Sequence, residues 1–450
     1  MSVIHRGRQM LKRLSHPLWF AALVFLVATI AVIYIYSGCC ITLRLPIRSD
    51  GYGYYAYLTS VFVDHDLTMK TAMAYRRMNV PLAPVAPAWT GIAPYAPTGR
   101  LLDKYTLGTA LLQTPFFLAA QLWATLARSP PYSPPYQFAN VLSAIFFLAF
   151  GTCLLVRSLV RTFAPAIAIL SAAGVIFGTS LFHDATFITS FSHVYSYFAF
   201  ALLVVAVDRY QKGDDAGAPK ILRPLELGAI TGLIALIRVP NVVAGLIPLV
   251  LISRQLYRTG NFGQFALEFV SGVAAFAVVF GLQMAYWFAV TGHIVLNSYQ
   301  GEYFDWTHPR LWEFLFSVRR GLFLWSPLLL LAVLGVPRLV RRDPWIGTAI
   351  AAVLLLELYI CSSWWSWWYG MSFESRPVAD MMPLVAFPLA HGLELAITKL
   401  GRRTCVVAVS GLILLNSILM LSYWKEFIPW DNPTSADILR LPQRWVSELR

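Results

Sequence analysis

One carboxylate early in the sequence has the setting of a reactive group. Asp50 lies in the segment 48–55, RSDGYGYY, soon after the first apolar run. Beyond it, apolar side chains recur at helical spacing, at Tyr54, Tyr57, Leu58, Val61 and Phe62. This stripe predicts an amphipathic helix that lies in the membrane interface with Asp50 at its N-terminus. Asp50 could cap that helix, serve as a general base at the membrane surface, or do both.

Basic side chains that could bind an anion follow at wide intervals: Lys104, Arg238, Arg319, Arg320 and Arg376. Arginine suits phosphate because its planar guanidinium donates two parallel hydrogen bonds and stays charged at any physiological pH. Structural alternatives remain open. Lys104 could anchor a helix end, and Arg319 and Arg320 could contact lipid headgroups. Arg376 could form an ion pair with Glu374.

Further polar residues are candidates for contacts with a sugar or a phosphate. His193 follows Ser192 near the predicted outer surface, and Glu302 lies in the segment 292–320. A satisfied structural histidine and a solvated loop carboxylate are the simpler alternatives. Tyr54, on the stripe beside Asp50, completes the predicted substrate-binding residues.

No metal site is indicated. Asp64, His65 and Asp66 form a polar cluster, but residues at i and i+2 do not share a helix face. The five cysteines show no C-x-x-C spacing, so neither zinc nor a disulfide framework is predicted. The sequence therefore requires no cofactor, although a lone carboxylate such as Asp50 can also ligate a divalent ion.

Membrane helices must position these residues. Hydrophobic residues make up 58% of the 450 positions and charged residues 13%, against about half and a quarter in soluble domains. Apolar runs lie near 18–38, 105–127, 137–157, 163–182, 187–207, 225–253, 264–291, 321–337, 344–363, 380–398 and 403–422. Since about twenty apolar residues cross a bilayer as a helix, we predict one all-α polytopic transmembrane domain over 1–450. It would contain about eleven spanning helices.

Two of these runs need interpretation. The Lys/Arg bias of short loops is satisfied only if 105–127 does not cross, which makes it a re-entrant or interfacial helix within a first outer loop, 39–136. The run 225–253 is long for one span and short for two. Because basic loops flank it and Pro240 interrupts it, we predict a hairpin of two short helices with its apex at 238–241. Arg238 would then lie in the outer leaflet, where a charge costs about 2.5–3.5 kcal/mol and calls for a partner or a function.

The resulting topology has the N-terminus in the cytoplasm and the C-terminus outside. The predicted outer segments are 39–136, 183–186, 238–241, 292–320, 364–379 and the tail 423–450. The Pro-rich stretches 81–97 and 130–135 predict extended loop. The formal charge of +13 fits basic residues at helix ends beside anionic lipids, and no motif predicts a nucleic-acid partner.

These features resemble the GT-C superfamily of membrane glycosyltransferases, which includes protein O-mannosyltransferases and the bacterial lipid A aminoarabinose transferase. The resemblance rests on Asp50 just after the first helix, the juxtamembrane amphipathic helix and the inward N-terminus. The segment 103–105, Ser192-His193 and Arg376 fit the same picture. Many protein mannosyltransferases have Asp-Glu where this chain has Asp50-Gly51, which argues against a protein acceptor of that type.

The resemblance implies transfer of a sugar from a polyprenyl-phosphate donor to an acceptor hydroxyl outside the cytoplasm, in the bacterial cytoplasmic membrane. Asp50 would be the base, with inversion at the sugar carbon, and the cations would hold the phosphate. A glycosidase needs a second carboxyl to protonate its leaving alkoxide, but a lipid phosphate leaves as a stable anion. One carboxylate then suffices.

The acceptor stays open between an envelope glycan, a lipid and a protein. The Trp-rich run 363–369, SWWSWWY, predicts an interfacial aromatic belt, a wall for the polyprenyl chain, or a stacking platform for a sugar. Two other functions remain as alternatives. One is a transporter or flippase of a lipid-linked or amphipathic solute, although no second related half is visible. The other is a non-catalytic scaffold.

Overall fold

The computed structural model describes residues 16–39, 45–79, 91–212 and 221–448. Of the described residues, 74% are helical. In chain order the helices are α1 (Pro17–Tyr34), α2 (Asp50–Thr59), α3 (Lys70–Asn79), α4 (Gly108–Leu126), α5 (Pro134–Leu159), α6 (Pro165–Phe177), α7 (Leu181–Thr186), α8 (His193–Lys212), α9 (Leu222–Ile237), α10 (Leu246–Thr259), α11 (Phe262–Thr291), α12 (Leu311–Phe316), α13 (Leu322–Trp325), α14 (Leu329–Arg342), α15 (Pro344–Ser363), α16 (Met382–Leu400), α17 (Arg402–Trp424), α18 (Ser435–Leu439) and α19 (Leu441–Glu448).

Within the described ranges, seven helical segments are long and apolar enough to cross a membrane: Pro17–Gly38, Pro134–Leu159, Val239–Thr259, Phe262–Thr291, Pro344–Ser363, Arg376–Leu400 and Arg402–Trp424. The shorter helix α6 is also apolar. These helices identify an integral membrane protein with an all-helical polytopic fold, as the sequence predicts. The count of about eleven spans stays a prediction, as do the orientation of the termini and the sides of the loops.

Close backbone approach holds the central helices together. A Cβ atom added at Gly392 of α16 would lie 1.9 Å from the carbonyl oxygen of Leu331 in α14. Added at Gly335 of α14, it would lie 1.8 Å from that of Pro388. Small residues at helix crossings let backbones pack tightly where water provides no driving force. The two helices therefore form a fixed pair beneath the segment 376–381.

The predicted break in 225–253 is confirmed by two helices on either side of Arg238, while their arrangement as a hairpin stays a prediction. Helix α9 ends at Ile237, Arg238 is extended at φ −149° and ψ 116°, and a 3₁₀ turn, Val239–Gly245, leads into α10. Proline at position 240 starts the turn, since it fixes φ and cannot donate to the preceding helix. The break exposes the backbone around Arg238 to tertiary partners.

The first predicted outer segment is more ordered than expected. The run 105–127 forms the single helix α4, which packs on α2, α5 and α9; that it does not cross the membrane stays a prediction. Of the stretch 81–97, predicted as extended loop, 81–90 lies outside the described residues. Ile92–Pro94 pairs antiparallel with Leu101–Asp103 in a small sheet, β1 and β2, that the sequence analysis missed.

Two expectations about exposure were wrong. Helix α2 is not a half-buried interfacial helix: Gly51–Thr59 are all buried, and apolar exposure begins only at Val61. Its aromatic side chains point both toward α4 and toward α11, so the whole helix lies inside the protein. The segment 183–186, predicted as a short outer loop, belongs to the fully buried helix α7.

Candidate active site

Asp50 opens α2 and uses its carboxylate for a tertiary contact. It is the first helical residue, after Ser49 at φ 49°, so it does not occupy the N-cap position. Its Oδ2 accepts a hydrogen bond from Arg376 Nη2 at 2.8 Å, and its side chain is 26% exposed. The carboxylate is therefore fixed by a cation on one side and accessible on another.

The charge state of Asp50 follows from this setting. Burial alone would raise the pKa of its carboxyl. Arg376, Lys104 and a hydrogen bond from the Tyr105 hydroxyl outweigh that effect, so the pKa of Asp50 lies below its ordinary value. Asp50 is thus an anion at neutral pH.

Gly51 explains why no second carboxylate can follow Asp50. A Cβ atom at this position would lie 1.8 Å from Ser190 Oγ and 2.9 Å from the Ser190 carbonyl carbon. Ser190 is itself held, because its hydroxyl donates to the carbonyl of Pro46 at 3.0 Å. The Asp-Glu pair of the protein mannosyltransferases therefore does not fit this packing without a rearrangement.

Lys104 directly follows the last residue of β2 in the small sheet. The preceding residue, Asp103, is buried and accepts from the Tyr105 N–H at 3.0 Å, while its own N–H donates to the Tyr286 hydroxyl at 2.9 Å. Lys104 Nζ lies 2.6 Å from Glu302 Oε1 and 5.3 and 5.0 Å from the ring centres of Tyr105 and Tyr299. Two predicted substrate-binding residues, Lys104 and Glu302, thus meet as an ion pair.

Three tyrosine rings line the space between these charges; we call Tyr54, Tyr105 and Tyr299 the tyrosine cup. The centres of the Tyr54 and Tyr105 rings are 4.6 Å apart, and those of Tyr105 and Tyr299 6.1 Å. Burial raises the pKa of Tyr54 to about 12, against the opposing effect of Arg238. Burial likewise raises the pKa of Tyr105 and Tyr299, so all three hydroxyls stay protonated. Tyr105 donates to Asp50, and Tyr54 and Tyr299 can donate hydrogen bonds to an anion or a sugar.

Arg376 does not pair with Glu374, contrary to one predicted alternative. Glu374 adopts φ 59° and accepts from Ser326 Oγ at 2.7 Å; burial raises the pKa of its carboxyl to about 8. Arg376 instead turns to Asp50, with its guanidinium 5.1 Å from the ring centre of Phe191 and its Nε without a hydrogen-bond partner in the described structure.

Arg238 lies in a buried group that we call the α9-break network: Arg238, His193, Asn241 and Asp380. Asp380 Oδ1 is 2.8 Å from His193 Nδ1. Its Oδ2 accepts from Asn241 Nδ2 at 2.8 Å and from Arg238 Nη1 at 3.2 Å. The partner that the sequence analysis required for Arg238 is therefore Asp380, and His193 has the structural partner that was one of its alternatives.

The break is also tied to the Lys104 segment. Thr106 Oγ1 donates to the carbonyl of Ile237 at 2.8 Å, one residue before Arg238. Ser298 Oγ donates to the carbonyl of Lys104 at 2.7 Å, which links the segment 292–320 to the same place. Asp50, Lys104, Arg238, Arg376, Tyr54 and Glu302 are thus brought together around one cup.

Arg319 and Arg320 take their described partners from the C-terminal segment. Arg319 pairs with Asp431 at 3.1 Å and stacks 3.9 Å from the ring centre of Trp368. Arg320 is buried and donates to the carbonyl of Trp430. Neither has a direct contact with Asp50, and burial of Arg320 does not fit the predicted headgroup contact.

The Trp-rich run contacts the site at two residues. Trp365 Nε1 donates to Glu302 Oε2 at 3.4 Å, and the ring centre of Trp364 lies 5.6 Å from that of Tyr299 in the tyrosine cup. Asp64 and Asp66 accept local hydrogen bonds from Thr71 and from Thr68. Among the described residues no group of three His, Cys, Asp or Glu could hold a metal ion.

The sequence analysis missed Asp380, Asn241, Tyr105 and Tyr299. A signal for Asp380 existed, because a carboxylate at the start of the apolar run 380–398 is expensive in a membrane and calls for a partner. The tyrosines had no such signal, since they are distinguished only by the rings that the fold places beside them.

Solved structures of similar fold include the oligosaccharyltransferase of Archaeoglobus fulgidus in its apo form, with a TM-score of 0.50 and 11% identity over 90% of this chain and 56% of that one. The same organism's AglB, in complex with an inhibitory peptide and a dolichol-phosphate, has a TM-score of 0.49 at 11% identity, covering 93% and 56%. ArnT from Cupriavidus metallidurans, bound to undecaprenyl phosphate, has a TM-score of 0.48 at 11% identity, covering 90% and 76%.

No family model and no curated protein sequence matches the chain. The chain spans little more than half the length of the archaeal oligosaccharyltransferase, 56%. At this identity the likeness concerns the fold alone: the chain resembles the archaeal oligosaccharyltransferase in its helical membrane fold.

Proposed function

We propose that this chain is an integral membrane glycosyltransferase that moves a sugar from a polyprenyl-phosphate donor to an acceptor hydroxyl on the extracytoplasmic side, with inversion. The observation that carries the proposal is the pair of Asp50 and Arg376, 2.8 Å apart, at the edge of the tyrosine cup and near Lys104. An accessible carboxylate beside several cations suits attack by a hydroxyl on a phosphate-linked sugar.

In the proposed step, the acceptor oxygen bonds to the anomeric carbon while the bond from that carbon to the phosphate oxygen breaks. Its electron pair leaves with the polyprenyl phosphate, and the acceptor proton passes to Asp50. Lys104, Arg238 and Arg376 stabilise the charge that develops on the leaving phosphate. Glu302 and the tyrosine hydroxyls would bind sugar hydroxyls, and His193 would act through Arg238.

Arg376 has two roles in this scheme. Paired with Asp50, it keeps the carboxylate ionised but weakens it as a base. Its unpartnered Nε offers a donor to an arriving phosphate, and a phosphate that draws Arg376 away strengthens Asp50 as a base at the moment when the acceptor must be deprotonated. Binding of the donor would thereby raise the basicity of Asp50.

The test uses protein in lipid nanodiscs supplied with a panel of undecaprenyl-phosphate sugars and membrane-derived acceptors. We expect Asp50→Asn to lower the transfer rate by roughly 10²–10⁴-fold, the usual contribution of a general base, while undecaprenyl phosphate still binds. Asp66→Asn, which changes a carboxylate with local partners only, is the matched control and should stay active. Full activity of Asp50→Asn would exclude Asp50 as the base. A flippase would move the labelled lipid across the bilayer without changing its mass.

A further inference from the structure

The α9-break network contains a carboxylate that the proposed reaction does not use. Asp380 is fully buried, at 0% exposure, and both of its oxygens have partners from other elements. His193 begins α8, Asn241 lies in the turn after α9, and Asp380 precedes α16. Three separate parts of the fold therefore converge on one side chain.

We propose that Asp380 is a positioning residue, which with His193 and Asn241 fixes the Arg238 guanidinium for the phosphate of the donor lipid; the inference rests on the proposed function. Arg238 lies at a backbone break and has no helix to direct its side chain. Asp380 and His193 both contact its Nη1, at 3.2 and 3.0 Å. Anchored there, the guanidinium keeps its remaining N–H groups available in a fixed plane.

The free part of Arg238 acts toward the tyrosine cup. Its side chain is 16% exposed, and its charge acts on the hydroxyls of Tyr54 and Tyr299. The Arg238 side chain thus connects a buried anchor to the tyrosine cup. Positioning matters for phosphate because a bidentate contact depends on orientation as well as on charge.

Charge and orientation predict opposite results for Asp380→Asn, which makes the inference testable. Removal of an anion beside Arg238 adds net positive charge and should tighten phosphate binding if Asp380 only balances charge. If Asp380 orients Arg238, the same substitution loosens the guanidinium and weakens binding. The sign of the change separates a positioning role from a merely structural one.

The experiment measures binding of undecaprenyl phosphate to the full chain in lipid nanodiscs. We expect Asp380→Asn to weaken binding roughly tenfold, the scale of one charge-assisted hydrogen bond. In the Arg238→Ala background it should cause no further loss, because it acts only through Arg238. Unchanged or tighter binding by Asp380→Asn, or an equal loss in both backgrounds, would overturn the inference.

Controls separate this inference from folding defects and from the proposed function. Asp343→Asn alters another ion pair, with Arg254 at 2.8 Å, and should bind the lipid as the unaltered chain does. If Asp380→Asn does not fold, Asn241→Ala removes one hydrogen bond to the same oxygen and should weaken binding less, in the same direction; unchanged binding would again overturn the inference. If Asp50→Asn is inactive and Asp380→Asn binds normally, only the positioning role fails. If the unaltered chain transfers no sugar from any donor of the panel, or only moves the lipid across the bilayer, the proposed function fails.

Discussion

Two groups of charges lie beside the tyrosine cup, and they differ in how they are held. In the α9-break network, Asp380 is completely buried and each of its oxygens is paired. At the cup, Lys104 with Glu302 and Arg376 with Asp50 are partly exposed, with side chains between 14% and 26% accessible. Exposed pairs contribute little to stability and exchange partners readily, whereas a buried carboxylate that loses its partner destabilises the fold.

This difference separates the parts that can respond to a ligand from those that cannot. A phosphate can compete for Lys104 or Arg376 because each gives up one partly solvated contact. The same phosphate cannot displace Asp380 from Arg238 without leaving a carboxylate alone in the protein interior. The α9-break network therefore keeps its ion pairs when a ligand binds, whereas the ion pairs at the cup can exchange partners.

The largest effect on stability is expected in the α9-break network. Asp380→Ala leaves Arg238 buried without its carboxylate, and we expect it to lower the free energy of unfolding by about 3–5 kcal/mol. Thermal unfolding in detergent micelles measures the loss, with Asp437→Ala in the exposed turn of α18 as a milder control. A loss of stability smaller than that of the control would show that Asp380 does not stabilise the fold through this network.

A smaller loss of stability is expected where Gly51 of α2 packs against Ser190. Gly51→Ala places a methyl group against Ser190, and overpacking of this kind costs about 1–3 kcal/mol. The double variant Gly51→Ala, Ser190→Gly removes the obstructing hydroxyl and should recover part of the stability. Equal stability of the single variant and the unaltered chain would show that α2 has room for a larger residue, and the explanation of Asp50-Gly51 would fail.

At the cup, Arg376→Gln should change pH dependence more than stability. Arg376 lowers the pKa of Asp50, so its removal should raise that pKa, while Lys104 and Tyr105 continue to lower it. Because the base acts as an anion, activity is lost as pH falls through its pKa, so the acidic limb should move to higher pH in the variant. Transfer rates from pH 4 to 8 give the pH dependence of activity. An acidic limb at the same pH in the variant and in the unaltered chain would show that Asp50 is not the group whose protonation stops the reaction.

The smallest effect is expected for Glu302→Gln. The Lys104 pair is partly exposed, so its loss should change the free energy of unfolding by about 0–1 kcal/mol. Lys104 would nevertheless be freed from its competing anion, and undecaprenyl phosphate should bind more tightly. Weaker binding would instead indicate that Glu302 holds Lys104 in place, as Asp380 holds Arg238.

Several features of the molecule could be predicted from sequence because they depend on local properties. The length of the apolar runs predicts a polytopic membrane protein, and Pro240 predicts the break beside Arg238. The place of Asp50 between the first apolar run and the helical stripe that begins at Tyr54 predicts that it starts a helix after the first span. The exposure of α2 was mispredicted because a one-sided apolar stripe does not reveal that Gly51, Gly53 and Ala56 let other elements cover its second side.

The partners of the charged groups were decided by the tertiary structure. Arg376 pairs with Asp50, 326 positions away, rather than with Glu374 two positions away. Arg238 pairs with Asp380, 142 positions away. A sequence shows that a charge in an apolar setting needs a counter-charge, because burial of an unpaired ion is costly. Which counter-charge it meets depends on how the helices pack, and that packing is set by contacts along the whole chain.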